Sequence, residues 1–283
     1  MISIKKNVEG IVIPSEEIKV QMFPMDFEEF LWAIGREGTW PLVERRFEQH
    51  REMGQNDHRM MEYFRQYLVV GGMPQAVAAF AAEKRRDDVE RAKRAILDLY
   101  YEDIGKFAGR LKNKVRAIWR AIPGELSLQD KRFSPGAVGK NVRMRDLDAS
   151  FEWLRSAMTV NLAYHSADPN VGFGMTADHE GMKCYMADTG LLASHAYSDN
   201  PATTKEVLWK ILTGKIELNK GMLMENLVAQ MLRTAGHRLY FFSQYSKTEA
   251  EERMEVDFLV PKPVISSRHN IHPIEVKSSP RYT

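Results

Sequence analysis

The feature that most constrains this chain is its last quarter, where three short apolar stretches each carry acidic or basic residues. GMLMENLVAQML (221–232) has the apolar spacing of a helix, and EVDFLV (255–260) and HPIEVKSS (272–279) read as strands. Met224, Leu227, Val228 and Met231 form the expected apolar stripe of the helix, with Glu225 at its margin. Alternation along a strand sets Glu275 and Lys277 on one face and Ile274 and Val276 on the other. Asp257 shares its face with Glu255 and Leu259. A helix and two strands folded together would bring Glu225, Asp257, Glu275 and Lys277 to one point. Three carboxylates suit a hard divalent cation, and a neighbouring ammonium polarises a water or a phosphate. That is the residue chemistry of a metal-dependent nuclease. The plainer alternative is that Glu275 and Lys277 are exposed strand residues that happen to alternate.

Composition narrows the rest. A chain of 283 residues suits two domains, or three small ones, and 44% hydrophobic with 28% charged residues can bury a core. The net charge of +2 leaves nucleic-acid binding to local patches. One cysteine, Cys184, excludes an internal disulfide and fits a reducing, cytoplasmic setting; Tyr185 and Met186 beside it point to a buried thiol. The start, MISIKKNVEGIVIPS, lacks the apolar core of a signal peptide. The longest apolar stretch, 67–82, contains Gly71, Gly72 and Pro74 and is too short for a bilayer, so no membrane partner is expected.

Three regions follow from the pattern. Region 1–110 begins with an extended piece over 1–20 and continues with helices, among them FPMDFEEFLWAIG (23–35), with Asp26 at its positive end and Gly35 at its stop. GGMP (71–74) breaks the helical pattern, and the mixed charges of EKRRDDVERAKR (83–94) read as a solvated helix face. Region 111–195 holds a helix around 115–121 ending at Pro123. A longer helix follows, with Leu147, Phe151, Leu154 and Met158 at i, i+4, i+7 and i+11. Strands in NLAYHSADPN (161–170) and MKCYMADTG (182–190) complete a winged-helix-like arrangement. Lys140, Arg143 and Arg145, at the start of the longer helix, either meet DNA phosphates or form an ordinary solvated face. Region 196–283 runs through loop and short helix into the final αββ unit, which begins near Lys220. Asp188 in ADTG reads as a turn cap.

PMDFEEFLWA (24–33), YLVVGGMP (67–74), ILDLYYEDI (96–104), YMADTGLLA (185–193) and IEVKS (274–278), in this order, resemble a prokaryotic family of predicted AAA-type ATPases. In that family a nucleotide-binding module precedes a carboxy-terminal domain of unknown function whose end resembles the restriction-endonuclease, or PD-(D/E)xK, fold. The resemblance covers nearly the whole chain. It implies an α+β, multidomain protein: a helical lid-like first part, a winged-helix-like middle and a partial restriction-endonuclease-like αββ end. It also implies that Asp257, Glu275 and Lys277 match the catalytic acid, acid and lysine of the nuclease motif. Glu225 matches the helix glutamate of some members, so Glu225, Asp257 and Glu275 would hold Mg²⁺. Val256 stands where the motif has proline, and the chain stops six residues after Lys277, before the helix and strand that usually follow.

A phosphate-cradling loop needs G-x-x-x-x-G-K-[ST]. SPGAVGKN (134–141) has Ser134 in place of the first glycine and Asn141 in place of the hydroxyl residue, and it is rejected. ATP therefore belongs to the full-length family rather than to this chain, which is expected to begin after the ATPase core. The eight histidines form no zinc motif, and His269 and His272 near Glu275 read as loop residues. The leading expectation is a DNA-associated component of an AAA-type ATPase with a Mg²⁺-dependent, nuclease-like end. The alternatives are a non-catalytic module that binds DNA, a protein partner or its own copy, and a fragment of a larger ATP-binding protein.

Overall fold

The computed structural model describes residues 20–54, 57–82, 86–168, 170, 172–198, 206–207, 210–211, 220–244, 254–264 and 270–277. The extended piece expected before Val20, most of the segment 199–219, His269, Ser278 and Ser279 lie outside the described residues. The architecture is α+β. In chain order the helices are α1 (Phe27–Ala33), α2 (Thr39–Glu48), α3 (Asp57–Val70), α4 (Pro74–Ala81), α5 (Arg86–Phe107), α6 (Lys112–Ser127), α7 (Asp148–Ser156), α8 (Thr189–Ala196) and α9 (Lys220–Thr234). The strands are β1 (Val160–Ser166), β2 (Ala177–Met186), β3 (Leu239–Gln244), β4 (Met254–Val256), β5 (Phe258–Pro261) and β6 (Ile271–Ile274). The chain divides into two compact units, 1–112 with 187–218 and 113–186 with 219–283.

The described part of the first unit is helical. Asp26 caps α1 reciprocally: its carboxylate accepts from the Glu29 amide at 2.8 Å, and the Glu29 carboxylate accepts from the Asp26 amide at 2.9 Å. Gly35, at φ 70°, ends the helix in a conformation that side chains resist. Phe27 and Phe30 pack with Tyr67, Phe64 and Phe80 into an aromatic core. Between α3 and α4, Gly72 donates its amide to Asp188 at 2.6 Å. Asp188 also caps α8 by accepting from Leu191 at 2.8 Å.

The second unit is built on a sheet with strand order β2-β1-β3-β4, and β5 and β6 pair separately. β1 runs antiparallel to β2 and parallel to β3. α6 continues through Pro123 to Ser127 rather than ending at the proline. Its apolar stripe explains this: Val115, Ile118, Trp119, Ile122 and Leu126 are all buried, spanning both sides of the proline. Burying Ile122 and Leu126 stabilises by several kcal/mol, enough to offset the roughly 3 kcal/mol that an interior proline costs. α7 is shorter than the apolar spacing predicts. Leu147 is its cap residue, and Met158 lies beyond its end at φ 57°. Lys140 and Arg143 precede the helix in a loop, and Arg145 lies in the 3-10 turn Met144–Asp146.

α9 shows the largest departure from its expected orientation. Met222, Leu223, Glu225, Asn226, Leu227, Ala229 and Gln230 are buried, whereas Met224, Val228 and Met231 are half-buried. Glu225 and Asn226 therefore lie within the buried face and not at its margin. Polar partners account for this. Asn226 accepts from the Met186 amide at 2.8 Å and donates to the Met186 carbonyl at 3.2 Å, as another strand would. Glu225 is bound by Lys183, Lys131 and Tyr185.

Candidate functional site

Within the second unit the acidic residues of the last quarter meet a lysine from another part of the chain. Lys183 sits on β2 between Met182 and Cys184, and none of its side chain reaches solvent. Its Nζ lies 3.2 Å from Glu225 Oε1, 3.1 Å from Glu255 Oε1 and 3.6 Å from Asp257 Oδ1. The ammonium also lies 4.9 Å from the Phe241 ring centre, where a ring face favours a cation. Tyr185, two residues on and so on the same strand face, donates its hydroxyl to Glu225 Oε1 at 2.5 Å.

The segment before β2's partner strand supplies a second cation. Arg132 bridges to Lys183 and Phe133 donates its amide to the Met182 carbonyl at 2.8 Å, so this segment runs along the edge of β2. Glu125 holds it from behind by accepting from the Ser134 amide at 2.6 Å. Lys131 is thereby brought to 2.7 Å from Glu225 Oε2.

Asp257 separates β4 from β5. Its Oδ2 accepts from the Val276 amide at 2.8 Å. β5 and β6 pair with Phe258 opposite Ile274, so the register carried one step further sets Asp257 against Glu275. Glu275 is half exposed and forms an ion pair with Lys277, itself half exposed. The structure therefore gathers Glu225 and Asp257 around Lys183, together with Glu255. Glu275 and Lys277 pair with each other at the exposed end of the same strand pair.

The titration behaviour follows from burial and charge. Burial acts to raise the Glu225 carboxyl, but Lys183 and Lys131 outweigh it and hold the group below its usual range. Asp257 moves the other way: burial and the Glu225 charge push it up, against the Val276 amide and Lys183. Burial would depress Lys183, but Glu225, Glu255 and Asp257 keep it above its ordinary value and hence charged. Lys277 is raised by its hydrogen bond and charge pairing with Glu275, with smaller contributions from Asp257 and Glu255. Burial pushes the Cys184 thiol up, which makes it an inert core group rather than a nucleophile.

The cluster around Lys183 does not fit a resident Mg²⁺. A hard cation needs free carboxylate oxygens at about 2.0–2.1 Å. Both Glu225 oxygens and both Asp257 oxygens already serve Lys183, Lys131, Tyr185 or the Val276 amide. The Lys183 ammonium lies among the three carboxylates. Among the described residues, no group of three or more His, Cys, Asp or Glu side chains is arranged to hold a metal ion.

The basic residues of the middle region have a different setting. Lys140, Arg143 and Arg145 are exposed. Their turn is fixed by the Arg143 amide donating to Asp146 Oδ2 at 3.0 Å and by Lys114 Nζ donating to the Asp146 carbonyl at 2.7 Å. His272 is exposed on β6. No helix among the described residues is long and apolar enough to cross a membrane.

Sequence reasoning missed Lys183 and Lys131. One signal was available: a lysine between Met182 and Cys184 in a strand otherwise apolar from Met182 to Met186 is costly unless it is paired.

No curated protein and no solved structure matches the chain. Two families do, each described as a domain of unknown function. Residues 220–283, which hold Glu225, Glu255 and Asp257, match DUF4143. Residues 61–202, half of the chain, match DUF8612, and the chain belongs to that family.

Proposed function

We propose that this chain is a DNA-associated module of the AAA-type ATPase kind it resembles, with a nuclease-like end that binds rather than cuts. The observation that carries the reading is the saturation of Glu225 and Asp257 by Lys183, Lys131, Tyr185 and the Val276 amide. On this reading the first part is lid-like, the middle is winged-helix-like and the end is restriction-endonuclease-like, and the chain works in the cytoplasm. Lys140, Arg143 and Arg145 are the groups that meet phosphates, since they are exposed and Lys114 anchors the turn beside them.

The test is DNA binding by the full chain with EDTA present. Affinity should fall with salt, and the log–log slope should shrink by about 0.9 for every phosphate-neutralising side chain that is removed. Replacing Arg143 and Arg145 together with alanine should then weaken binding and flatten the slope by nearly twice that amount. Salt-insensitive binding, or none, overturns the DNA assignment and favours a protein partner or self-association.

One arrangement favours a second reading, a Mg²⁺-dependent nuclease. Asp257 is tied to the Val276 amide directly beside the Glu275–Lys277 pair, the order that the nuclease motif requires. Mg²⁺-dependent nicking of plasmid that disappears in Asp257→Ala and in Lys277→Ala would establish it. Intact plasmid throughout supports the binding module.

A further inference from the structure

We propose that Lys183 is a built-in cation filling the place among Glu225, Glu255 and Asp257 that a divalent metal ion would otherwise take, so that removing it turns the cluster into a metal site. The inference rests on the reading above that the native cluster is saturated. Three carboxylates converge from separate elements: Glu225 from α9, Glu255 from β4 and Asp257 from the junction of β4 and β5. The cation between them comes from β2, which reaches the cluster from the opposite edge of the same sheet. Lys183 and Lys131 together bring two positive charges, the charge of one divalent ion.

The distances suit an ammonium. Nζ-to-oxygen separations of 3.1, 3.2 and 3.6 Å are charge-assisted hydrogen bonds and ion pairs. A small divalent cation would draw the same oxygens in to about 2.0–2.6 Å. With the lysine stem gone, the space inside the carboxylate ring is vacated and its charge is left uncompensated except for Lys131 at the rim, which is 19% exposed. Buried carboxylates without a counter-ion are costly, and they recover that cost by taking up a cation or a proton.

An ordinary buried ion-pair network makes the opposite prediction, namely that losing the lysine weakens the unit and no metal restores it. Lys183→Ala and Lys183→Gln separate the two cases, Gln keeping most of the side-chain volume. Mn²⁺ binding is read by electron paramagnetic resonance, and the thermal midpoint is measured in EDTA and in millimolar Mn²⁺. Wild type should show no saturable Mn²⁺ signal and no change of midpoint. Lys183→Ala should gain a stoichiometric Mn²⁺ site and a midpoint that rises with Mn²⁺, and adding Asp257→Asn should abolish both. Mn²⁺ held at the cluster of wild type overturns the proposal. So does failure of both variants to gain a Mn²⁺ response, whether folded or unfolded, because a cation in the vacated space should restore what the ammonium supplied. The DNA-binding test uses the native chain in EDTA, so its failure leaves the Mn²⁺ result standing, and the reverse also holds.

Discussion

Glu225→Gln is the most informative single change in the second unit. It keeps the shape of the side chain and lets a carbonyl oxygen still accept from the Tyr185 hydroxyl, but it removes the charge. Lys131 then loses its 2.7 Å partner and Lys183 loses the most buried of its three, Glu225 being 3% exposed. Removing one partner of a buried pair costs about 3–5 kcal/mol. Lys183 retains Asp257 and the half-exposed Glu255, which places the expected loss at the lower end, about 3 kcal/mol. For a unit of this size that corresponds to a fall of roughly 6–12 °C in the thermal midpoint. The pH dependence carries the sharper test. The folded carboxyl titrates below its ordinary value of 4.5, so its contribution is complete above pH 4.5 and is lost as pH falls through the lower folded value. The gap between wild type and variant, measured by urea denaturation, should be widest at neutral pH and close progressively below pH 4.5. A loss under about 1 kcal/mol at neutral pH, the range of exposed pairs, would refute the reasoning. A gap that stays constant into acid would refute it equally.

Asp257→Asn should behave in the opposite sense. Its folded value is raised above 3.8, so wild type gains on acidification and is held back at neutral pH. The variant, which still accepts from the Val276 amide, should match or exceed wild-type stability at neutral pH and lose that advantage towards pH 3.8. A neutral-pH loss beyond about 1 kcal/mol would contradict this. Lys277→Ala should leave the urea midpoint unchanged within error, since the Glu275–Lys277 pair is half exposed on both sides; a clear fall would show that the pair supports the fold. Gly190→Ala should destabilise the first unit by about 1–3 kcal/mol or more, because its Cβ would lie 2.2 Å from the Val70 carbonyl oxygen. A neutral result in chemical denaturation would refute the close packing of α8 on the end of α3.

Much of the local structure was legible because local chemistry dictates it. Asp26 marks the positive end of α1 and Gly35 its stop, and NLAYHSADPN (161–170) and MKCYMADTG (182–190) hold strand residues of β1 and of the end of β2. Asp188 reads from the sequence as a turn cap, whereas in the structure it caps the helix α8. What failed was tertiary in origin. Periodicity ranks the faces of α9 by hydrophobicity alone. The helix turned Glu225 and Asn226 inward because their partners Lys183, Tyr185 and the Met186 backbone lie on β2, about forty residues earlier and outside any local window of the sequence. The carboxylates were legible by type and order, but their cation was not. Lys277 lies two residues from Glu275 and invited pairing with it, which the structure realises at the surface, whereas the buried charge comes from Lys183, 42 residues before Glu225.

Two of the strings that carry the family resemblance are joined to each other in the structure. YLVVGGMP and ADTGLLA are over a hundred residues apart, yet within the first unit 67–74 meets 187–193 at a single joint. Asp188 accepts from Gly72 on one side and Leu191 on the other. A Cβ on Gly71 would lie 2.3 Å from the Asp188 carboxylate, and one on Gly72 would lie 2.0 Å from the Met25 carbonyl oxygen. Gly71 also has φ 79°, which a side chain would strain. Burial raises the Asp188 carboxyl, opposed by the Gly72 and Leu191 amides and by Lys93, which is itself buried against Glu90 and the Val69 carbonyl. These residues specify how backbones approach one another where no larger residue fits. A likeness resting on such a joint argues for a shared packing of these helices and says nothing about a reaction. Chemistry has to be argued from Glu225, Glu255 and Asp257, and there the deciding residue is Lys183, on a strand whose pattern reads as core.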